Sequence, residues 1–322
     1  MKRDRPSSTA RKVALSIVSL GAKPGMEDVL PDRIVEATAR LLVAADVVGE
    51  RAIRFARSRS AVAIYEAFDW MMPGQFEAFA HRKAFCERTV RDGIAAGTVQ
   101  VLVLGAGYDT LGWRLAPEFP RVRFFEIDHP ATGERKAHGI TGLGRRENLY
   151  LIQADLADRT LVDVLAAVAN WDNAAPSVVV AEGLTQYLAP DAVRDLFRQC
   201  AWVTGAGSRF AFTYIGDRDD GRPDAGRWTR LTLWLLKASG EPWLWSIRPD
   251  ELPAFLERVG WSCGDPDRHD EKRGQGVEYY RVAFKSGIQG QGGSRLAAPP
   301  RDFDERTVWF KKHPAPGGTR CR

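Results

Sequence analysis

Apolar positions along the 322-residue chain fall into two textures. Up to about residue 97 they recur at helical spacing, interrupted at Pro24, Pro31, Gly49 and Pro73-Gly74, which predicts a series of amphipathic helices. Beyond that point short β-branched or aromatic runs alternate with helix-like segments: VLVL at 101–104, FFEI at 124–127, LYLI at 149–152, SVVV at 177–180 and RFAFTY at 209–214. Such alternation predicts an α/β protein with a parallel, Rossmann-like sheet. A polar loop over 217–223, helices over 228–237 and 249–259, and a last strand over 278–284 complete the pattern. The reading is one main domain, with an amino-terminal helical layer (1–97) and a core with a helical lid (98–285). Residues 286–322 read as a flexible tail, because their Gly- and Pro-rich composition buries too little apolar surface to offset the entropy of ordering.

The first strand opens onto Gly105-Ala106-Gly107, where missing side chains let the backbone turn sharply and let a ligand approach the peptide groups. The second strand ends in Asp128, about 20 residues further on, where a βαβ unit presents a carboxylate to ribose hydroxyls. A dinucleotide site wants a third glycine three residues after Gly107, under the pyrophosphate, and the chain has Thr110 there. That substitution argues against NAD and for S-adenosylmethionine, which carries no phosphate. The third strand runs into Asp155-Leu156, a polar and an apolar neighbour for an adenine, and the fourth into Glu182, at the carboxyl edge where open α/β sheets bind ligands. Asp191 is read as serving the start of the helix near Pro190, which leaves Glu182 for a ligand.

Four segments, GAGYDTLGWRL, FFEIDHP with Arg135-Lys136 beyond it, QADLAD and VVAEGLTQYLAP, resemble in order and spacing the leucine carboxyl methyltransferase family. The resemblance covers about residues 7–285 and is most similar to bacterial polyketide-type members. It implies a class I methyltransferase fold and S-adenosylmethionine-dependent O-methylation of a carboxylate on a small-molecule acid. A phenol or a protein C-terminal carboxylate is the alternative acceptor; a nicotinamide dehydrogenase and an inactive cofactor-binding scaffold are the other classes. By the same resemblance Arg82, on the helix before the glycine turn, is expected to meet the cofactor carboxylate, with Arg11 or Lys12 as a second basic contact. Tyr187 is the candidate to aim a hydroxyl at the acceptor, and Trp228, Trp234, Trp243 and Trp245 either form an aromatic lid or pack the added helices.

Composition narrows the field further. The charge of +5 is spread along the chain without a long basic run, so no nucleic-acid partner is expected, and no apolar window approaches a membrane span. Cys86, Cys200, Cys263 and Cys321 are scattered without CxxC or paired-His spacing, which predicts neither metal nor disulfide framework and fits a reduced cytoplasm. No GxSxG or HExxH motif is present, and His129 reads as a strand-to-helix junction residue. A carboxylate nucleophile, already ionised at neutral pH, needs no catalytic base. Oligomeric state is not legible.

Overall fold

A computed structural model describes residues 6–218, 221–226, 228–238, 240–263 and 276–285. The tail expected over 286–322, and Cys321 within it, lie outside the described residues.

Five helices form the amino-terminal layer: α1 (Ser8–Leu20), α2 (Ile34–Ala44), α3 (Glu50–Ala56), α4 (Arg59–Ala67) and α5 (Gln75–Ala95). The expected breaks are present, and there is one more, between α3 and α4. No Gly or Pro marks it; Ser58 Oγ caps α4 by accepting from Ala61 N at 3.2 Å. Strands and helices then alternate as β1 (Gln100–Leu104), α6 (Leu111–Leu115), β2 (Arg123–Asp128), α7 (Pro130–Leu143), β3 (Leu149–Gln153), α8 (Leu161–Ala166), β4 (Ser177–Ala181) and α9 (Pro190–Trp202). A 3-10 turn, Thr185–Tyr187, separates β4 from α9; β5 (Arg209–Ile215), α10 (Thr229–Ala238), α11 (Leu252–Arg258) and β6 (Glu278–Phe284) follow.

The strands form a six-stranded sheet in the order β3-β2-β1-β4-β5-β6. Pairings from β3 through β5 are parallel, and β6 returns antiparallel along β5, a direction that strand periodicity does not encode. Alternate residues serve opposite faces, as a pleated strand requires. Val101, Val103, Phe124, Val178 and Val180 pack with Phe85, Cys86 and Val90 of α5 and with Leu111 and Leu115 of α6. Leu102, Leu104, Phe125, Val179, Phe210 and Phe212 pack with residues of α8, α9 and α11. Close approach of α5 to the sheet depends on Gly93, where an added Cβ would lie 2.3 Å from Val178 Cγ2.

The order of strands puts the crossover point between β1 and β4, because the chain leaves β1 toward β2 on one side and returns to β4 on the other. In open α/β sheets the ligand cleft forms at the carboxyl ends of strands flanking such a point. Among the described residues no helix is long and apolar enough to cross a membrane.

Candidate active site

The turn after β1 is built by its glycines. Gly105 and Gly107 have φ of +63° and +48°, in the left-handed region that costs a residue with a Cβ about 1–2 kcal/mol. Gly105 N donates to Ile127 O at 2.9 Å, which holds the turn against the end of β2. Gly107 N donates to Asp128 Oδ2, and His129 N donates to Asp128 Oδ1 at 2.6 Å. Turn and acid are therefore one unit. Burial pushes the Asp128 carboxyl above its usual range, with the Gly107 N–H and Lys136 opposing.

Thr110 is fully buried and accepts from Arg114 Nε at 3.1 Å, so the position where a dinucleotide site wants glycine is occupied by a structural hydroxyl. At Gly112 an added Cβ would fall 2.7 Å from Glu126 Oε1. Glu126 pairs with Lys136 Nζ at 2.6 Å beneath the turn, and burial still raises its carboxyl against that pairing.

Asp155 follows β3 and accepts from Ala157 N at 2.9 Å, with His129 Nε2 at 3.4 Å from its other oxygen. His129 also caps α7, accepting through Nδ1 from Ala131 N at 3.3 Å, in agreement with the junction role read from the sequence. Leu156, beside Asp155, packs on the core.

Glu182, after β4, does not cap α9. That helix begins at Pro190 with no side-chain cap, and Asp191, expected to serve its start, sits in the first turn paired with Arg194 at 2.6 Å. Glu182 Oε1 instead receives Arg82 Nε at 2.8 Å and Lys83 Nζ at 3.0 Å. Arg82 Nη1 reaches both oxygens of Glu278 on β6, at 2.9 and 2.8 Å, and the guanidinium carbon lies 4.9 Å from the Phe79 ring centroid. Burial opposes the Arg82 charge, but Glu278 and Glu182 outweigh it and hold its pKa above the usual arginine value. Within this cluster Glu182 Oε2 is buried with no hydrogen-bond partner among the described residues, and the two ion pairs engage Arg82 through Nε and Nη1.

Sequence reasoning missed Lys83, Asp109 and Glu278. Lys83 bridges Glu182 to Asp109, 2.9 Å away. Burial disfavours both charges, yet the pairing holds the Asp109 carboxyl below its usual range and keeps the Lys83 pKa raised. The sequence signal was the basic pair Arg82-Lys83; no local pattern marks Glu278.

Helix α1 covers the glycine turn: a Cβ at Gly107 would lie 3.1 Å from Ala10 Cβ. Ser7 N donates to Thr132 Oγ1 at 3.0 Å, and Ser8 Oγ and Thr9 N donate to Glu241 at 3.0 and 3.3 Å. Glu241 thus supplies the negative charge at the helix N-terminus that the first turn of α1 lacks. Arg11 and Lys12 are both exposed on α1, and the charge of Arg11 bears on the buried Tyr108 hydroxyl beside the turn. Tyr187 is half-buried on the 3-10 turn. Of the tryptophans, Trp245 is buried against Phe255, whereas Trp228 and Trp234 are 44% and 63% exposed, and Trp228 meets Trp70 edge-on at 5.7 Å.

A sequence profile described as leucine carboxyl methyltransferase matches residues 20–201. The chain belongs to this family. A protein of Mycobacterium bovis named "Putative S-adenosyl-L-methionine-dependent methyltransferase" is 32% identical over 195 residues, 56% of this chain and 60% of that protein. One of the same name from Mycobacterium avium is 32% identical over 213 residues, 61% of this chain and 64% of that protein. The chain therefore spans less than two thirds of these curated relatives. The fold is similar to the crystal structure of a "putative methyltransferase" from Thermobifida fusca, with a TM-score of 0.52 and 19% identity over 82% of this chain and 98% of the other. The architecture is that of a Rossmann-like class I methyltransferase.

Proposed function

We propose that the protein is an S-adenosylmethionine-dependent O-methyltransferase that forms a methyl ester on the carboxylate of a small, apolar or aromatic, polyketide-like acid. The observation that carries the cofactor reading is Glu182 Oε2, a buried acceptor without a partner beside the guanidinium of Arg82, at the carboxyl edge of the sheet. A buried unsatisfied carboxylate oxygen is costly, and the ammonium of an amino-acid group satisfies it while Arg82 Nη2 takes the carboxylate of the same group. Gly105, Ala106 and Gly107 admit the ligand against bare backbone, with Arg11 at the covering helix. In this reading Asp128 meets the ribose hydroxyls, and Asp155 with Leu156 meets the adenine.

S-adenosylmethionine, when bound, supplies an electrophilic methyl group on a sulfonium. The chain's part is to orient the acceptor oxygen, with Tyr187 as the contact, and to exclude water with α1 held down by Glu241. An ionised carboxylate needs no proton removed, so positioning and desolvation carry the rate. Incubation with methyl-labelled cofactor and a panel of acids, phenols and amines tests this reading. The expected product loses its label as methanol in mild base; label that survives base, or transfer to phenols alone, contradicts the ester.

A further inference from the structure

The segment that follows α10 carries one more polar group into the same region. Trp243 lies two residues after Glu241, the residue that holds α1, and the backbone beyond it is pinned to the turn that bears Tyr187: Leu244 N donates to Gln186 O at 2.7 Å. That turn is itself tied to the sheet. Thr185 Oγ1 donates to Thr213 O at 2.7 Å, and Gln186 Nε2 donates to Glu278 Oε1 at 3.3 Å. Trp243 and Tyr187 are thus held on two segments clamped together by main-chain bonds.

Between them the hydrogen bonding is incomplete. The Trp243 indole approaches the Tyr187 phenol closely enough to oppose the rise that burial imposes on its pKa. Yet Trp243 Nε1 is buried without a hydrogen-bond partner among the described residues. An indole N–H only donates, and a phenol O–H donates as readily as it accepts. Leaving such a donor buried and unpaired costs free energy, so Trp243 Nε1, tethered beside a hydroxyl that is itself able to donate, points to an acceptor-only group as the missing partner. The nearby carboxylates do not fill that role: Glu241 receives Ser8 and Thr9, and Glu278 receives Arg82 and Gln186.

We infer that Trp243 Nε1–H and Tyr187 Oη–H together hold the carboxylate of the methyl acceptor, making Trp243 a specificity-determining residue for anionic acceptors. The inference rests on the methyl-ester reading above. An ionised carboxylate is acceptor-only and has enough lone pairs for both donors, whereas a primary amide of the same shape also brings donors of its own and mismatches them. Product formation removes the negative charge, so the ester is held more weakly than the acid and leaves.

The test uses the full-length protein saturated with S-adenosylhomocysteine, titrated calorimetrically with phenylacetic, 2-naphthoic and decanoic acids and with the primary amide of each. Wild type is expected to prefer at least one acid over its amide. Trp243→Phe and Tyr187→Phe are each expected to weaken that acid by about tenfold, the scale of a lost charge-assisted hydrogen bond, while changing the amide and S-adenosylhomocysteine affinities little. The paired variant is expected to lose less than the two single losses combined. Unchanged melting temperature in Trp243→Phe, followed alongside, separates loss of the contact from loss of fold. Full acid affinity in Trp243→Phe, equal loss for acid and amide, or failure of every acid to bind wild type overturns the clamp. Base-labile methyl transfer that persists with full acid affinity in Trp243→Phe removes the clamp and leaves the ester; transfer confined to phenols removes both.

Discussion

Arg82 Nε donates to Glu182 Oε1 at 2.8 Å, joining residues a hundred positions apart in the chain. Each is the other's counterion, with Glu278 and Lys83 completing the balance, so no charge of the cluster is buried alone. An amino-acid group that places its carboxylate on Arg82 and its ammonium on Glu182 therefore enters a site whose charges are already ordered, which lowers the reorganisation that binding requires.

Arg82→Ala leaves Glu182 and Glu278 without their shared cation and is expected to destabilise the fold by about 3–5 kcal/mol. Arg82→Lys keeps the charge but not the planar fork, and is expected to fold while binding S-adenosylmethionine about tenfold or more weakly. Thermal unfolding and titration calorimetry on both variants check this. Wild-type affinity in Arg82→Lys would assign the arginine to structure alone.

Much of the sheet and part of the candidate site were legible in the sequence because they are local. Strands β1 to β5 announce themselves as short β-branched or aromatic runs, and Gly105, Gly107, Asp128 and Asp155 lie where strands end. The break at Ser58 carried no Gly or Pro, and the antiparallel return of β6 depends on topology and not on alternation. Lys83 with Asp109, and Glu278 with Arg82, were illegible for a different reason: each pair is made only when α5 docks on the sheet. Trp228 and Trp234, read as either lid or packing residues, are largely exposed, since aromatic spacing at and within a short helix does not say which face is covered.

With Asp128 as the proposed ribose contact, its raised pKa is expected to give cofactor binding an acid limb. Ribose hydroxyls donate to the ionised carboxylate, so affinity is expected to be flat at neutral pH and to fall as pH drops through a pKa above the usual aspartate value of about 4. In the ligand-free protein the sign is opposite. Burial favours the protonated form, so this group's contribution to stability is present at low pH and is lost as pH rises through the folded pKa. Calorimetry as a function of pH on wild type and Asp128→Asn separates the two: the variant should bind more weakly and without the limb, and a matching limb in both would place it elsewhere.

Lys136 and Glu126 form a pair that is buried on both sides. Lys136→Met strands the Glu126 carboxylate and is expected to cost about 3–5 kcal/mol, whereas Lys136→Met with Glu126→Gln should recover a large part of the loss. Denaturant unfolding of the single and double variants reads the difference directly; equal loss in both would show that packing around the lysine stem, and not the ion pair, sets the stability.

Gly107 is constrained by backbone and neighbour together. Gly107→Ala places a side chain at φ +48° and 3.1 Å from Ala10 Cβ, so it is expected to lose about 1–2 kcal/mol from the backbone alone and to displace α1 from the turn. Protease susceptibility near residues 7–9 should rise with it. Wild-type melting temperature and cleavage pattern in this variant would contradict the close packing of α1 over the turn.

The glycine turn, Asp128 and Glu182 are proposed to form a site for S-adenosylmethionine and not for a dinucleotide. Titration calorimetry of the wild-type protein with S-adenosylmethionine, S-adenosylhomocysteine and NAD measures it most directly. Saturable binding of the first two is expected, weakened about tenfold or more by Asp128→Ala, with no binding of NAD. Binding of NAD with no heat from either S-adenosyl compound would contradict it.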